Sequence, residues 1–316
     1  MEWMMPTNRR KVLAIALVIV FAASHDAQAQ DVQRVDVRDP GLVGHFYAAS
    51  GASGRTGVLM LGGSGGGYPD EAAARDLARA GYPVFALAYF RDYGGDPAEL
   101  EQRHLRNVPL EYIFEALDWL QARPEVRADR IVLMGESRGA ELALMIGSLR
   151  PDVAGVIAYS PSELRWGAVG GGAAAWTLHG LPLPYAQGHY DRAAPMREFT
   201  EILDGPADVR NAAAIEVEHI HGPVLLLSSK ADEVWPSARM ANSIESRLRA
   251  NRFSYRVENV QYENASHLLM GFGPAPTEIR VNERFTMRFG GTPEATETAR
   301  NSGWARVKDF LGPLKR

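Results

Sequence analysis

Gly135-Glu136-Ser137-Arg138-Gly139 sets a serine between two glycines, after the apolar run Ile131 to Met134 and before the helix-like stretch Ala140 to Leu149. A sharp strand-to-helix turn there would lift the Ser137 hydroxyl clear of its surroundings, and the glycines would let neighbouring backbone come close. The chemistry such a serine can do is nucleophilic attack on an acyl carbon. A serine is a weak nucleophile near neutral pH, so it needs a base, and the base needs an acid to orient it. For a serine on this kind of turn the chain order is serine, acid, histidine, with the acid just past a later strand. Asp232 fits, because it ends the loop Ser228-Ser229-Lys230-Ala231-Asp232 after the apolar run Val224 to Leu227; Glu233 is its nearest rival. His267, in the polar loop Glu263-Asn264-Ala265-Ser266-His267, is the one histidine that follows both serine and acid. The expected triad is therefore Ser137, Asp232 and His267.

A tetrahedral intermediate also needs donors for its oxyanion. The loop Gly62-Gly63-Ser64-Gly65-Gly66-Gly67 follows the apolar run Val58 to Leu61 and lies upstream of the serine. Its position assigns one donor to the backbone N–H of Ser64 and the other to that of Arg138. A phosphate-binding loop is the competing reading, but no P-loop lysine accompanies the glycines. The chain has no cysteine, so disulfides, thiolate metal sites and a cysteine nucleophile are excluded. The histidines show no zinc-like spacing, and neither a metal nor a cofactor is expected.

The elements that must position these residues alternate between strand-like and helix-like. Strands are expected over Val32 to Arg38, Val43 to Ala49, Val58 to Leu61, Val84 to Tyr89, Ile131 to Met134, Val153 to Tyr159, Val224 to Leu227 and Tyr255 to Val260. Helices are expected over Asp70 to Ala80, Leu110 to Leu120, Ala140 to Leu149 and Ser237 to Ala250, with a last one capped by Thr292 and opened by Pro293. Together with the serine turn this predicts an α/β-hydrolase fold, with a mostly parallel central sheet and helices on both faces. The pattern breaks at about 160–222, a stretch rich in Gly, Ala and Pro, read as a lid-like insert whose Trp166, Trp176 and Tyr185 wall a substrate pocket.

Residues 1–29 read as a signal peptide: Arg9, Arg10 and Lys11 precede the apolar run Val12 to Ala23, and Ala27-Gln28-Ala29 offers the cleavage site. The run is too short to span a bilayer, so no stable membrane insertion is expected after cleavage. Residues 30–316 are then one catalytic domain, exported to the periplasm or beyond. The net charge of −4 becomes about −5 once the leader and its one net positive charge are removed. An acidic chain without a basic cluster interleaved with aromatics is not a nucleic-acid binder.

The stretches VLMLGGSGGG, GYPVFALAYF, GESRGAELAL, GPVLLLSSKADEVWPS and FGGTPEATETA, from about Gly57 to the C-terminus, resemble the C-terminal domain family of acyl-CoA thioester hydrolases and bile acid-CoA:amino acid N-acyltransferases. The resemblance implies acyl transfer from an activated ester to a serine, with Ser137, Asp232 and His267 on that family's triad positions. In that family a serine goes with hydrolysis and a cysteine with transfer to an amine. Coenzyme A is a cytoplasmic metabolite, so the exported placement directs the expectation to a serine acyl hydrolase of small-molecule carboxylic esters or thioesters. An acyl-CoA thioesterase or acyltransferase and a serine peptidase are the alternatives.

Overall fold

The structure is a computed structural model, and it describes residues 1, 31–38, 41–91, 97–98, 100–188, 194–283 and 285–315. The signal-peptide segment expected at 1–29 lies, apart from Met1, outside the described residues.

Short apolar runs separated by glycine loops and amphipathic helices dictate a sheet covered on both sides. The strands are β1 (Val32–Val37), β2 (Val43–Ala49), β3 (Arg55–Leu61), β4 (Val84–Ala88), β5 (Val126–Glu136), β6 (Val153–Tyr159), β7 (Val224–Ser229) and β8 (Val257–Tyr262). They form one eight-stranded sheet in the order β1-β2-β4-β3-β5-β6-β7-β8. Only β2 runs antiparallel to its neighbours β1 and β4, and the pairs from β4 to β8 are parallel. The expected α/β-hydrolase fold is thus the one observed.

Alternation along the central strands explains the two covered faces, because successive side chains point to opposite sides of a sheet. Leu59, Leu61, Leu133, Val156 and Leu226 pack with α2 (Leu110–Gln121), α3 (Arg138–Leu149) and α6 (Ser237–Ala250). Val58, Met60, Val132, Met134, Ile157, Leu225 and Leu227 pack with α1 (Glu71–Arg79) and α7 (Pro293–Leu311) on the other side. Asp70 caps α1, its Oδ1 accepting the Ala73 N–H at 2.9 Å, and Thr292 caps α7 by accepting from Ala295 at 3.2 Å. Such caps satisfy N–H groups that a helix start otherwise leaves bare. The Trp304 indole N–H on α7 donates to Asp76 on α1 at 2.7 Å and ties that layer together.

The stretch at 160–222 is more structured than its glycine and proline content suggests. A short strand Trp176–Leu178 pairs with Val108–Pro109 and with Leu181–Pro182, and the helices α4 (Pro195–Asp204) and α5 (Ala207–Ala213) follow. Leu164, Trp166, Ala186, Leu203 and Ala213 bury themselves in a small core that also takes in Trp235 and Met240. A hairpin, Glu278–Asn282 paired with Phe285–Arg288, was not expected; its strands are short and mostly exposed, so little apolar alternation marks them.

Candidate active site

The elbow is built where β5 delivers Glu136 and α3 begins at Arg138. Ser137 between them sits at φ 57° and ψ −120°, a region sparsely visited by residues other than glycine. Three hydrogen bonds hold that conformation: Ser137 donates its N–H to Tyr159 at 2.9 Å, and its carbonyl accepts from Ala140 and Glu141 at 2.9 and 3.0 Å. The flanking glycines are required by contact. A Cβ on Gly135 would lie 2.0 Å from the Gly139 carbonyl oxygen, and one on Gly139 would lie 2.4 Å from the carbonyl oxygens of both Leu61 and Gly62. The elbow and the glycine loop therefore touch backbone to backbone, and a Cβ on Gly63 would lie 3.9 Å from Ser137 Oγ. Ser64 follows in that loop, and Arg138 is the first residue of α3, where N–H groups have no intrahelical acceptor.

Asp232 and His267 meet in the interior. His267 Nδ1 lies 2.8 Å from Asp232 Oδ2, and the two residues are 3% and 5% exposed. The carboxylate can only accept, so the network assigns the proton to Nδ1. Asp232 Oδ1 accepts from the N–H groups of Val234 and Trp235 at 2.9 and 3.2 Å, and Oδ2 also accepts from Ser237 Oγ at 2.6 Å. Glu233, the rival, is exposed. Burial alone would lower the His267 imidazole, but the Asp232 charge, its hydrogen bond and the charge of Glu136 outweigh it and hold the group above the usual histidine range.

Two consecutive residues at the end of β6 bring histidine and serine to one place. The Tyr159 carbonyl accepts the Ser137 N–H, and Ser160 Oγ donates to the His267 carbonyl at 2.6 Å. From the other side, Gly290 and Gly291 wedge between the acid and histidine loops. A Cβ on Gly290 would meet the Ala231 carbonyl oxygen at 1.8 Å, and one on Gly291 would meet the Ala265 carbonyl carbon at 2.3 Å. Sequence reasoning assigned no role to Ser160, Ser237 or these glycines; the Gly-Gly pair before the Thr292 cap was the available signal.

The pocket residues expected from the insert are placed differently from one another. Trp166 and Trp176 are 2% and 1% exposed, Tyr185 is half-buried, and none of the three is among the residues lining the cavity beside the glycine loop. Glu141, on α3 one turn past the serine, organises the tryptophans: its Oε1 accepts from Trp166 N–H at 3.0 Å and from the Trp176 indole at 2.5 Å. Arg138 Nε stands 3.0 Å from Glu141 Oε2 as an ion pair without hydrogen-bond alignment, and an Arg138 Nη donates to the Trp166 carbonyl at 2.9 Å. Burial raises the Glu141 carboxyl against the pull of Arg138. The side chain of Arg138 thus fastens the insert to the elbow helix.

A cavity of about 330 Å³ opens beside the elbow, lined by Gly62, Gly63, Gly65 and Gly66, by Glu136, and by Leu268, Met270 and Arg300. Among the described residues no cluster of His, Asp and Glu suited to a metal ion occurs, and no helix is long and apolar enough to cross a membrane.

The sequence profile of the BAAT / acyl-CoA thioester hydrolase C-terminal family matches residues 108–313, well over half of the chain. The chain belongs to that family. Curated relatives of the family member include mouse mitochondrial acyl-coenzyme A thioesterase 2, 27% identical over 288 residues that make up 90% of this chain and 60% of that protein. Mouse peroxisomal succinyl-coenzyme A thioesterase is 26% identical over 302 residues, 90% of this chain and 66% of its own length. The chain thus spans less than two thirds of the curated relatives it matches. A dienelactone hydrolase-like promiscuous phosphotriesterase from metagenomic libraries superposes with a TM-score of 0.54 at 16% identity, covering 91% of this chain and all of that one. An acylaminoacyl peptidase from Pyrococcus horikoshii gives 0.57 at 12% identity, covering 90% of this chain and 41% of that one. At such identities these two speak for the fold.

Proposed function

We propose that this family member is a serine acyl hydrolase that cleaves carboxylic esters or thioesters through an acyl-enzyme on Ser137. The observation that carries the reading is the buried pair of His267 and Asp232, 2.8 Å apart, at the same end of the sheet as a serine held at positive φ. His267 takes the Ser137 proton as Oγ attacks the acyl carbon, then returns it to the leaving oxygen or sulfur. Asp232 keeps Nδ1 protonated and stabilises the imidazolium. The backbone N–H groups of Ser64 and Arg138 receive the oxyanion. Water, activated by the same histidine, then releases the acid.

The leaving group divides two readings. The relatives' names favour acyl-coenzyme A, and we keep that as the second reading. The engagement of the arginines favours an uncharged ester: Arg300, which lines the cavity, donates to the carbonyls of Gly273, Phe272 and Leu268. Arg138 is spent on Glu141 and the Trp166 carbonyl, and Arg165 donates to the carbonyls of Pro184 and Ala212. Neither is left to hold the phosphates of a coenzyme A tail, which call for a basic surface. We propose as well that residues 1–29 are cleaved and the chain exported, a placement that would suit an ester substrate. The test compares kcat/KM on p-nitrophenyl esters with matched acyl-CoA thioesters, for protein starting at Gln30 and with leaving-group reactivity allowed for. Preference for the esters is expected. A preference for acyl-CoA that survives the correction replaces the ester reading with the thioesterase one, and an N-terminus still intact in exported or retained protein removes the signal peptide.

A further inference from the structure

The residue just before the serine is a glutamate. Glu136 is the last residue of β5; it is partly exposed and lines the cavity. Its Oε1 accepts the backbone N–H of Met270 at 2.7 Å, three residues beyond His267. The same loop is gripped by Arg300 of α7, whose guanidinium donates to the carbonyls of Gly273, Phe272 and Leu268 at 2.9, 3.1 and 3.3 Å. Arg300 holds the histidine loop to α7. Glu136 ties the same loop directly to the elbow.

We propose that Glu136 is a positioning residue for the acyl transfer proposed above, clamping the His267 loop to the Ser137 elbow through Met270 while facing His267 with its charge. Misplacing a base by about 1 Å can cost on the order of 100-fold in rate, so a direct link of this kind bears on catalysis even though Glu136 need not touch the substrate. The groups around the carboxylate are the N–H groups of Met270 and Leu269, the His267 imidazole, Arg300 and Tyr159. Those facing His267 are Asp232, Glu136 and the edge of the Trp235 ring. Burial raises the Glu136 carboxyl, yet its charge still acts to favour the imidazolium of His267. Removing that charge should make His267 easier to deprotonate.

The experiment compares the wild-type protein with Glu136→Gln and Glu136→Leu by three readouts. Glutamine keeps an acceptor for Met270 and loses the charge, whereas leucine loses both. Hydrogen exchange of the 268–273 segment should be unchanged in the glutamine variant and faster in the leucine variant. Titration of the His267 imidazole by NMR should move to lower pH in both. For kcat on an ester, Glu136→Leu should fall by about 10- to 100-fold with KM within about threefold, and Glu136→Gln should recover at least about tenfold of that loss. The exchange and NMR readouts need no turnover, so an inactive wild type would overturn the hydrolase reading and leave the clamp to be judged on them. Unchanged exchange in Glu136→Leu, an unmoved His267 titration in both variants, or a glutamine variant as slow as the leucine one would overturn the proposal.

Discussion

Ser237 Oγ donates to Asp232 Oδ2 at 2.6 Å, the same oxygen that stands 2.8 Å from His267 Nδ1. Ser237 is the first residue of α6 and fully buried, so the carboxylate is fixed by a helix start as well as by the Val234 and Trp235 N–H groups. A carboxylate held by several donors presents one oxygen to the imidazole in one orientation. Ser237→Ala should lower kcat by about 3- to 20-fold with little change in KM, since one of several hydrogen bonds to a charged group is lost. Steady-state kinetics on an ester checks it, and an unchanged kcat would mean that the other donors suffice.

The proposed acid is Asp232, buried against His267, rather than Glu233, whose side chain is exposed. Asp232→Asn should reduce kcat by about 10³- to 10⁴-fold, because an amide favours the wrong imidazole tautomer. Glu233→Gln should stay within about threefold of wild type. The opposite ranking in the same assay would move the acid by one residue.

The pH profile follows from the raised His267. A base must be neutral to accept the Ser137 proton, so the acid limb of kcat/KM should lie above the usual histidine range. The stabilisation that the charged imidazole gains from Asp232 is complete below the unfolded-state value and disappears as pH rises through the folded one. Asp232→Asn removes the charge that raises the group and should move the acid limb to lower pH. A wild-type acid limb at or below the ordinary histidine range would count against the pairing.

Packing predicts which changes destroy the fold rather than the chemistry. Gly139→Ala would drive a Cβ against the backbone of Leu61 and Gly62, and should cost about 3 kcal/mol or more in denaturant unfolding. Glu141→Leu strands Arg138 in the interior and removes the acceptor for Trp166 and Trp176. About 3–5 kcal/mol is expected for breaking a buried pair in this way, and a wild-type unfolding midpoint would refute it.

Much of this was legible in the sequence because local and global signals agree. The apolar runs of β2 and β6 end where periodicity says they do, and Thr292 and Pro293 open α7 as their capping preferences require. Chain order was enough to single out Ser137, Asp232 and His267, and the structure places Asp232 against His267 and Ser137 on a strained strand-to-helix turn. What was hidden depends on contacts between distant segments. Ser160, Ser237 and Glu136 are ordinary polar residues until β6, α6 and β5 converge on one end of the sheet. The insert's tryptophans hid a second role for the same reason: Trp166 donates its indole N–H to Ser162 and sits in the insert's small core, whereas Trp176 donates to Glu141 and joins the main core. No periodicity betrays a core closed by a carboxylate from another helix.

Everything proposed for this site depends on Ser137 being activated as a nucleophile by His267 and Asp232. Labelling purified protein with a fluorophosphonate, followed by intact mass and peptide mapping, tests it most directly. One adduct is expected, on Ser137, abolished by Ser137→Ala and slowed by about 10³-fold or more in Asp232→Asn. No adduct on correctly folded wild-type protein, or an adduct that persists in Ser137→Ala, would contradict it.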